Sequence, residues 1–191
     1  MKKTRTFISI SIPDPVKSNL QSLFRYRERS PRQFRWVNPA QLHLTLKFMG
    51  DRTPAEIESI IAQLELTCRH YAPFTLALDQ LGGFPNLKYP RVLWVGLKGE
   101  VEYLTQIATA IDQALEQQGF ERETKPFRPH LTICRINGKQ GITPVIEELK
   151  RVHLPSNPFT VNGIQVMKSE LRPQGAIHTP LKYIPLPTTA R

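Results

Sequence analysis

Two four-residue phrases in this chain hold the residues best suited to chemistry: His43-Leu44-Thr45-Leu46 and His130-Leu131-Thr132-Ile133. On a strand, residues i and i+2 project from one face. His43 then stands beside Thr45 and His130 beside Thr132, while Leu42, Leu44, Leu46, Leu131 and Ile133 anchor the opposite face in the core. Brought together across a cleft, two imidazoles and two hydroxyls suit phosphoryl chemistry without a metal. One neutral histidine takes a proton from an attacking water or hydroxyl, and the other, protonated, hands one to the leaving oxygen. The threonine hydroxyls donate to non-bridging phosphate oxygens, where charge develops. Acid and base must be in opposite states, which predicts a bell-shaped pH profile belonging to the coupled pair.

The other three of the five histidines lack a threonine two residues on. His70, His153 and His178 therefore read as structural or surface residues. By alternation Lys47 shares the His43 face and reads as a solvated lysine. The same strict alternation puts Arg135 on the face opposite His130, so its use requires the strand end to bend. Phe7, Trp36 and Phe48 offer stacking surface, but aromatic residues on strands more commonly fill a core. A zinc reading finds no carboxylate at HxxE or ExxH spacing beside either motif histidine.

The elements that must carry these residues follow from periodicity. Residues 5–12 alternate as a strand and stop at Pro13, after which Asp14 is a candidate cap for a first helix with Pro15 in its first turn. Short strand character near 34–37 precedes the first motif strand. Thr53, Pro54 and Glu56 form a capping-box signature for a second helix with Ile57, Ile60, Ile61 and Leu64 as its stripe. A strand over 73–81, a turn-rich loop over 82–86 and a strand over 91–98 come next. A third helix carries Val101, Leu104, Ile107, Ala108, Ile111 and Leu115 and stops at Gly119. The second motif strand follows, then a short helix from Thr143 to about Arg151 and strands over 158–171 and 177–186. The strand–helix–strand pattern occurs twice, and PFTL at 73–76 is echoed by PFTV at 158–161. The expected architecture is α+β, residues 1–191 forming a single domain of two related, intertwined lobes with one motif each.

Composition narrows the partners. Lys and Arg outnumber Asp and Glu by 26 to 16, a net charge of +10 that attracts polyanions such as nucleic acid. The 17 prolines are scattered and give no low-complexity tract. Two cysteines, Cys68 and Cys134, are too few for a structural zinc site and read as reduced thiols. The start has no secretory pattern, and no apolar run approaches the ~20 residues of a membrane span, so a cytoplasmic, soluble protein is expected.

With these residues in place, the chain resembles the two-histidine (2H) phosphoesterases, defined by two H-x-[T/S]-x motifs. More narrowly it resembles the RNA 2′,3′-cyclic phosphodiesterases, also called 2′-5′ RNA ligases. The resemblance runs nearly end to end through FISISIP, WVNPAQLHLTLKFMGD, PFTLALDQLGGFP, PRVLWVG, FRPHLTICR and the closing SEL…G. Members more often carry Leu at the position of Met49 and Tyr at that of His178. The resemblance implies pseudo-symmetric lobes with antiparallel-rich sheets, outer helices and a central groove. It also implies hydrolysis of an RNA 2′,3′-cyclic phosphate end, a tRNA fragment for example, to a 2′-phosphate, with no metal or other cofactor, by a monomer that needs no membrane. In that scheme His43 protonates the leaving 3′ oxygen, His130 activates water, Thr45 and Thr132 hold the phosphate, and Arg135 binds substrate. The reverse 2′-5′ joining follows from microscopic reversibility. Two other functions remain in play: a groove that binds a nucleotide or RNA end without turnover, and a phosphodiesterase acting on a small ADP-ribose cyclic phosphate.

Overall fold

The computed structural model describes residues 2–138, 140–172 and 175–188. Among these residues nine strands and five α-helices follow in chain order: β1 (Thr4–Ser11), α1 (Asp14–Asn19), α2 (Gln21–Phe24), β2 (Phe34–Trp36), β3 (His43–Arg52), α3 (Pro54–Cys68), β4 (Phe74–Phe84), β5 (Val92–Gly99), α4 (Val101–Gln117), β6 (His130–Ile136), α5 (Thr143–Leu149), β7 (Phe159–Val161), β8 (Gly163–Arg172) and β9 (Gly175–Pro185). The strands form two antiparallel sheets, ordered β3-β1-β8-β9 and β2-β6-β5-β4-β7, so the α+β class holds and each sheet receives one histidine motif. Although they belong to different sheets, β3 and β6 approach within 8 Å, Cα to Cα.

Local chemistry accounts for most of the boundaries. The Thr53 hydroxyl accepts from the Glu56 N–H while the Glu56 carboxylate accepts from the Thr53 N–H, closing both ends of the capping box at the start of α3. Beyond α4, Gly119 takes φ +85°, the left-handed conformation that lets the chain leave a helix. Asp14 is not a cap. It already lies in the first turn of α1, where Pro13 holds the cap position and the carboxylate pairs with Lys17 at 3.0 Å. The GGFPN segment is not wholly a loop either, because β4 continues through Gly82 and Gly83 to Phe84, past an irregularity between Leu78 and Leu81.

One continuous apolar cluster runs beneath both sheets, from Ile8, Leu44 and Ile164 of the first to Leu78, Leu93 and Leu131 of the second, with Leu64 of α3 and Leu104, Ile107 and Ile111 of α4 packed against it. The motif strands therefore grip the core through their alternate leucines. Both cysteines are free and buried, and burial pushes each thiol up to about 12.

Lys47 departs from the solvated position expected for it. It is 4% exposed, and its ammonium meets the Asp112 carboxylate of α4 at 2.6 Å and the Glu121 carbonyl at 2.6 Å. An extra residue in β3 turns it inward, opposite the buried Ile8. Removing one partner of such a pair strands an ion in the core, whereas removing both does not. Asp112→Ala should lower unfolding stability by about 3–5 kcal/mol. The double change Lys47→Met with Asp112→Leu should recover most of that loss, both read from urea denaturation followed by tryptophan fluorescence.

Candidate active site

His43 is the first residue of β3 and His130 the first of β6. Each imidazole places Nδ1 against the backbone carbonyl two residues earlier, Gln41 at 2.8 Å and Arg128 at 2.6 Å. A carbonyl only accepts, so Nδ1 carries the hydrogen in both rings, and Nε2 is left as the atom able to exchange a proton.

The two strands also share one burial pattern. Histidine and threonine are half-buried, the residues after each are buried, two consecutive buried residues follow the threonine, and the next side chain is exposed. Strand register explains it. Ile8 pairs with Lys47 but Ser9 with Thr45, and Leu93 pairs with Cys134 but Trp94 with Thr132, so each motif strand holds one extra residue just after its threonine. Such a bulge moves every later residue to the other face. Arg135 thus returns to the side of His130 and Thr132, contrary to strict alternation, and Phe48 returns to that of His43 and Thr45. Phe48 is 61% exposed, with its ring centroid 6.2 Å from Phe7, so it is not a core residue. Trp36 does keep a packing role, edge-on to Phe24 at 5.8 Å.

Aromatic rings wall both histidines. Phe7, itself buried, lies 4.8 Å from the His43 ring, and Phe84 meets the His130 ring at 5.0 Å and a perpendicular angle, with Trp94 at 6.1 Å. Gly82 sits opposite Trp94 in the β4–β5 ladder, where a Cβ would lie 2.2 Å from the indole. Only glycine there lets the indole lie across β4 beside Phe84.

His178 is the residue that motif spacing missed. It lies neither free on the surface nor wholly in the core: its ring stands edge-on to His43 at 5.0 Å and to Phe7 at 4.9 Å. Gln41 couples the two histidines, since its backbone carbonyl receives the His43 Nδ1–H and its side-chain oxygen receives the His178 backbone N–H at 2.6 Å. The sequence signal was absent because His178 arrives from β9, across two intervening strands, with no threonine at i+2. His70 and His153 are exposed, as a surface reading expects.

Burial sets the protonation of all three site histidines. Desolvation lowers His43, opposed by its bond to the Gln41 carbonyl. Desolvation lowers His130 too, opposed by the Arg128 carbonyl and reinforced by the Arg135 charge. His178 is pushed down to about 4 by burial and by the adjacent His43. Among the described residues no group of three His, Cys, Asp or Glu side chains gathers as metal ligands. A hydroxyl and aromatic rings stand beside each motif imidazole instead.

Known proteins share this arrangement of sequence and fold. Residues 13–173 match the model of the 2'-5' RNA ligase superfamily. The RNA 2',3'-cyclic phosphodiesterase of Methanothermobacter thermautotrophicus is 29% identical over 187 residues, covering 96% of this chain and 100% of its own. The enzyme of that name from Methanocaldococcus jannaschii is 31% identical over 182 residues, covering 93% and 98%. A crystal structure of a Thermus thermophilus protein superposes with a TM-score of 0.79 at 29% identity, over 95% of this chain and 97% of that one. Escherichia coli LigT complexed with 3'-AMP shares the fold, with a TM-score of 0.72 at 24% identity over 97% and 99%. With two histidine–threonine strands in matching bulged settings and a family match spanning most of its length, the chain belongs to the 2'-5' RNA ligase superfamily.

Proposed function

We propose that this protein is a hydrolase that opens 2′,3′-cyclic phosphate ends of RNA to 2′-phosphates, using His43 and His130 as an acid–base pair and no metal. The observation that carries the reading is the matched pair of imidazoles, each fixed through Nδ1 to a backbone carbonyl, with Nε2 free and a threonine two residues on. His130 Nε2 takes a proton from water as the water oxygen bonds to phosphorus. The bond from phosphorus to the 3′ oxygen breaks, and His43 Nε2–H delivers its proton to that oxygen. Thr45 and Thr132 donate to the non-bridging oxygens, and the neighbouring rings of Phe7, Phe84 and Trp94 hold the imidazoles in place. The products are a 2′-phosphomonoester and a 3′ hydroxyl. The two histidines end in exchanged protonation states and reset through solvent, and the same machinery with a 5′ hydroxyl in place of water joins it to the cyclic end as a 2′-5′ link, the 3′ oxygen again leaving with the proton from His43. The basic balance of the chain suits an RNA substrate over a small cyclic phosphate. Residues 1–191 are assigned to one domain of two lobes that share the continuous core.

Incubation of the protein with an oligonucleotide ending in a 2′,3′-cyclic phosphate, in excess chelator, should yield a 2′-phosphate. A persistent cyclic end, or a 3′-phosphate product, would remove the assignment. His43→Ala and His130→Ala should each lower kcat by about 10²–10⁴-fold. Thr45→Ala and Thr132→Ala should each lower it by about 10²-fold. Affinity for a 2′-phosphate product measured by calorimetry should stay within a few-fold in the histidine variants, and that separates turnover from binding alone.

The pH dependence follows from the burial of both rings. The free enzyme needs His43 charged and His130 neutral, and desolvation moves both below the ordinary histidine value of about 6.5. The bell of kcat/KM should therefore peak below pH 6.5 and fall as pH rises beyond it. A bound phosphate anion favours the charged imidazole, so the alkaline limb of kcat should lie at higher pH than that of kcat/KM. Rate profiles over pH 4.5–9 on one substrate read both limbs, and coincident alkaline limbs would contradict His43 as the charged donor beside phosphate.

A further inference from the structure

A second cation stands beside Arg135. In the β2–β6 ladder Arg35 lies directly opposite it, and both are exposed. Val37 N–H donates to the Ile133 carbonyl and Asn137 N–H to the Gln33 carbonyl, two residues to either side of Arg35, which makes Arg35–Arg135 a hydrogen-bonded pair of the ladder. In such a pair the Cα atoms are about 5.5 Å apart and the side chains share a face. Like charges set directly opposite each other destabilise a sheet. Here nothing offsets them, because among the described residues neither guanidinium enters an ion pair.

The face is the one that matters. The bulge after Thr132 brings Arg135, and with it Arg35, onto the side of His130 and Thr132, and the Arg135 charge is felt at His130. Thr132 and Arg135 pair with Trp94 and Val92, two residues apart on β5. At about 3.3 Å per residue that is about 7 Å, close to the step from one phosphate to the next along a nucleic-acid strand. We propose that Arg35 and Arg135 together grip the phosphodiester on the 5′ side of the cyclised nucleotide, so that the groove selects an RNA chain over a free nucleoside cyclic phosphate. The inference rests on the cyclic phosphodiesterase reading. It adds Arg35 as the specificity residue and the internucleotide phosphate as its ligand. Two guanidiniums suit that ligand because each can present a pair of N–H donors to its anionic oxygens.

Three substrates with the same terminal base test it: a nucleoside 2′,3′-cyclic phosphate, a dinucleotide with the same cyclic end, and that dinucleotide with an uncharged methylphosphonate linkage. The wild-type protein should favour the dinucleotide over the nucleoside by about tenfold or more in kcat/KM, the scale of a charge-assisted contact. The methylphosphonate should fall to the nucleoside level. Arg35→Gln should lose most of the preference, turn over the nucleoside close to the wild-type rate, and show a smaller effect of the methylphosphonate than the wild-type protein does, the remainder coming from Arg135. Equal wild-type turnover of the charged and uncharged dinucleotides would overturn the inference without any variant, as would an Arg35→Gln loss shared equally by all three substrates. Nucleoside opening to a 2′-phosphate, with no dinucleotide preference, would leave the hydrolase reading standing and remove only the phosphate grip. If the wild-type protein opens none of the three, the hydrolase reading fails first.

Discussion

Everything at this site depends on the hydrogen bond that holds Nδ1 of each histidine to a carbonyl two residues before it. An imidazole can exchange protons at either nitrogen, and a pair working on one phosphorus centre needs its reactive nitrogens fixed in place. The carbonyls belong to residues that have not yet entered the strands. Gln41 closes a short 3₁₀ turn that starts at Pro39, with the Asn38 side chain accepting from the Ala40 N–H. Arg128 precedes Pro129, and a residue before proline is held extended. A rigid approach thus aims each carbonyl, and the leucines after each histidine, buried in the core, hold the strand that carries the ring.

The packing that orients the rings also removes them from water, and these two effects oppose each other. Burial lowers all three site histidines, while the carbonyl bonds favour the charged forms of His43 and His130. Without an anion beside it, a desolvated imidazole is a poor cation. In the proposed reaction the substrate phosphate supplies the missing counter-charge, so substrate and proton are taken up together. His178, pushed down to about 4, stays neutral in that exchange and serves as a wall that adds no competing positive charge beside His43.

The sequence made legible whatever is governed by neighbours along the chain. The capping box of Thr53 and Glu56, the glycine stop after α4 and the i, i+2 pairing of histidine with threonine all rest on contacts within a few residues, and each appears where expected. What depended on register with a partner strand did not show. The bulges after Thr45 and Thr132 exist only relative to β1 and β5, so strict alternation misplaced Lys47 and Arg135, and the habit of strand aromatics to fill a core misplaced Phe48. A lysine in particular conceals such a bulge, because it reads as a solvent residue until a buried partner such as Asp112 is known. The extension of β4 through two glycines was hidden for a related reason. Glycine usually marks a turn, yet Gly82 is a strand residue required by the indole lying over it. His178 belongs to the site only through the β1–β8–β9 order of the sheet, which no local pattern encodes.

Two equivalent motifs would by themselves give two equivalent imidazoles, yet acid and base must differ. The frame is matched through the strand start, the carbonyl bond, the threonine and the bulge, and one difference between the two lies in what the bulge delivers. On β3 it turns Lys47 beneath the sheet, where Asp112 neutralises it, and exposes the uncharged Phe48. On β6 it buries the neutral Cys134 and exposes Arg135. Of the two motif histidines, His130 is therefore the one whose bulge sets a cation on its own face, and that charge disfavours its protonated form. A repulsion felt at one ring and not at its counterpart adds one contribution that favours the proton on His43, beside the burial that is the larger cause of the shift at both rings. That asymmetry supports His130 as the base and His43 as the acid, and it does so without breaking the matched geometry that both need.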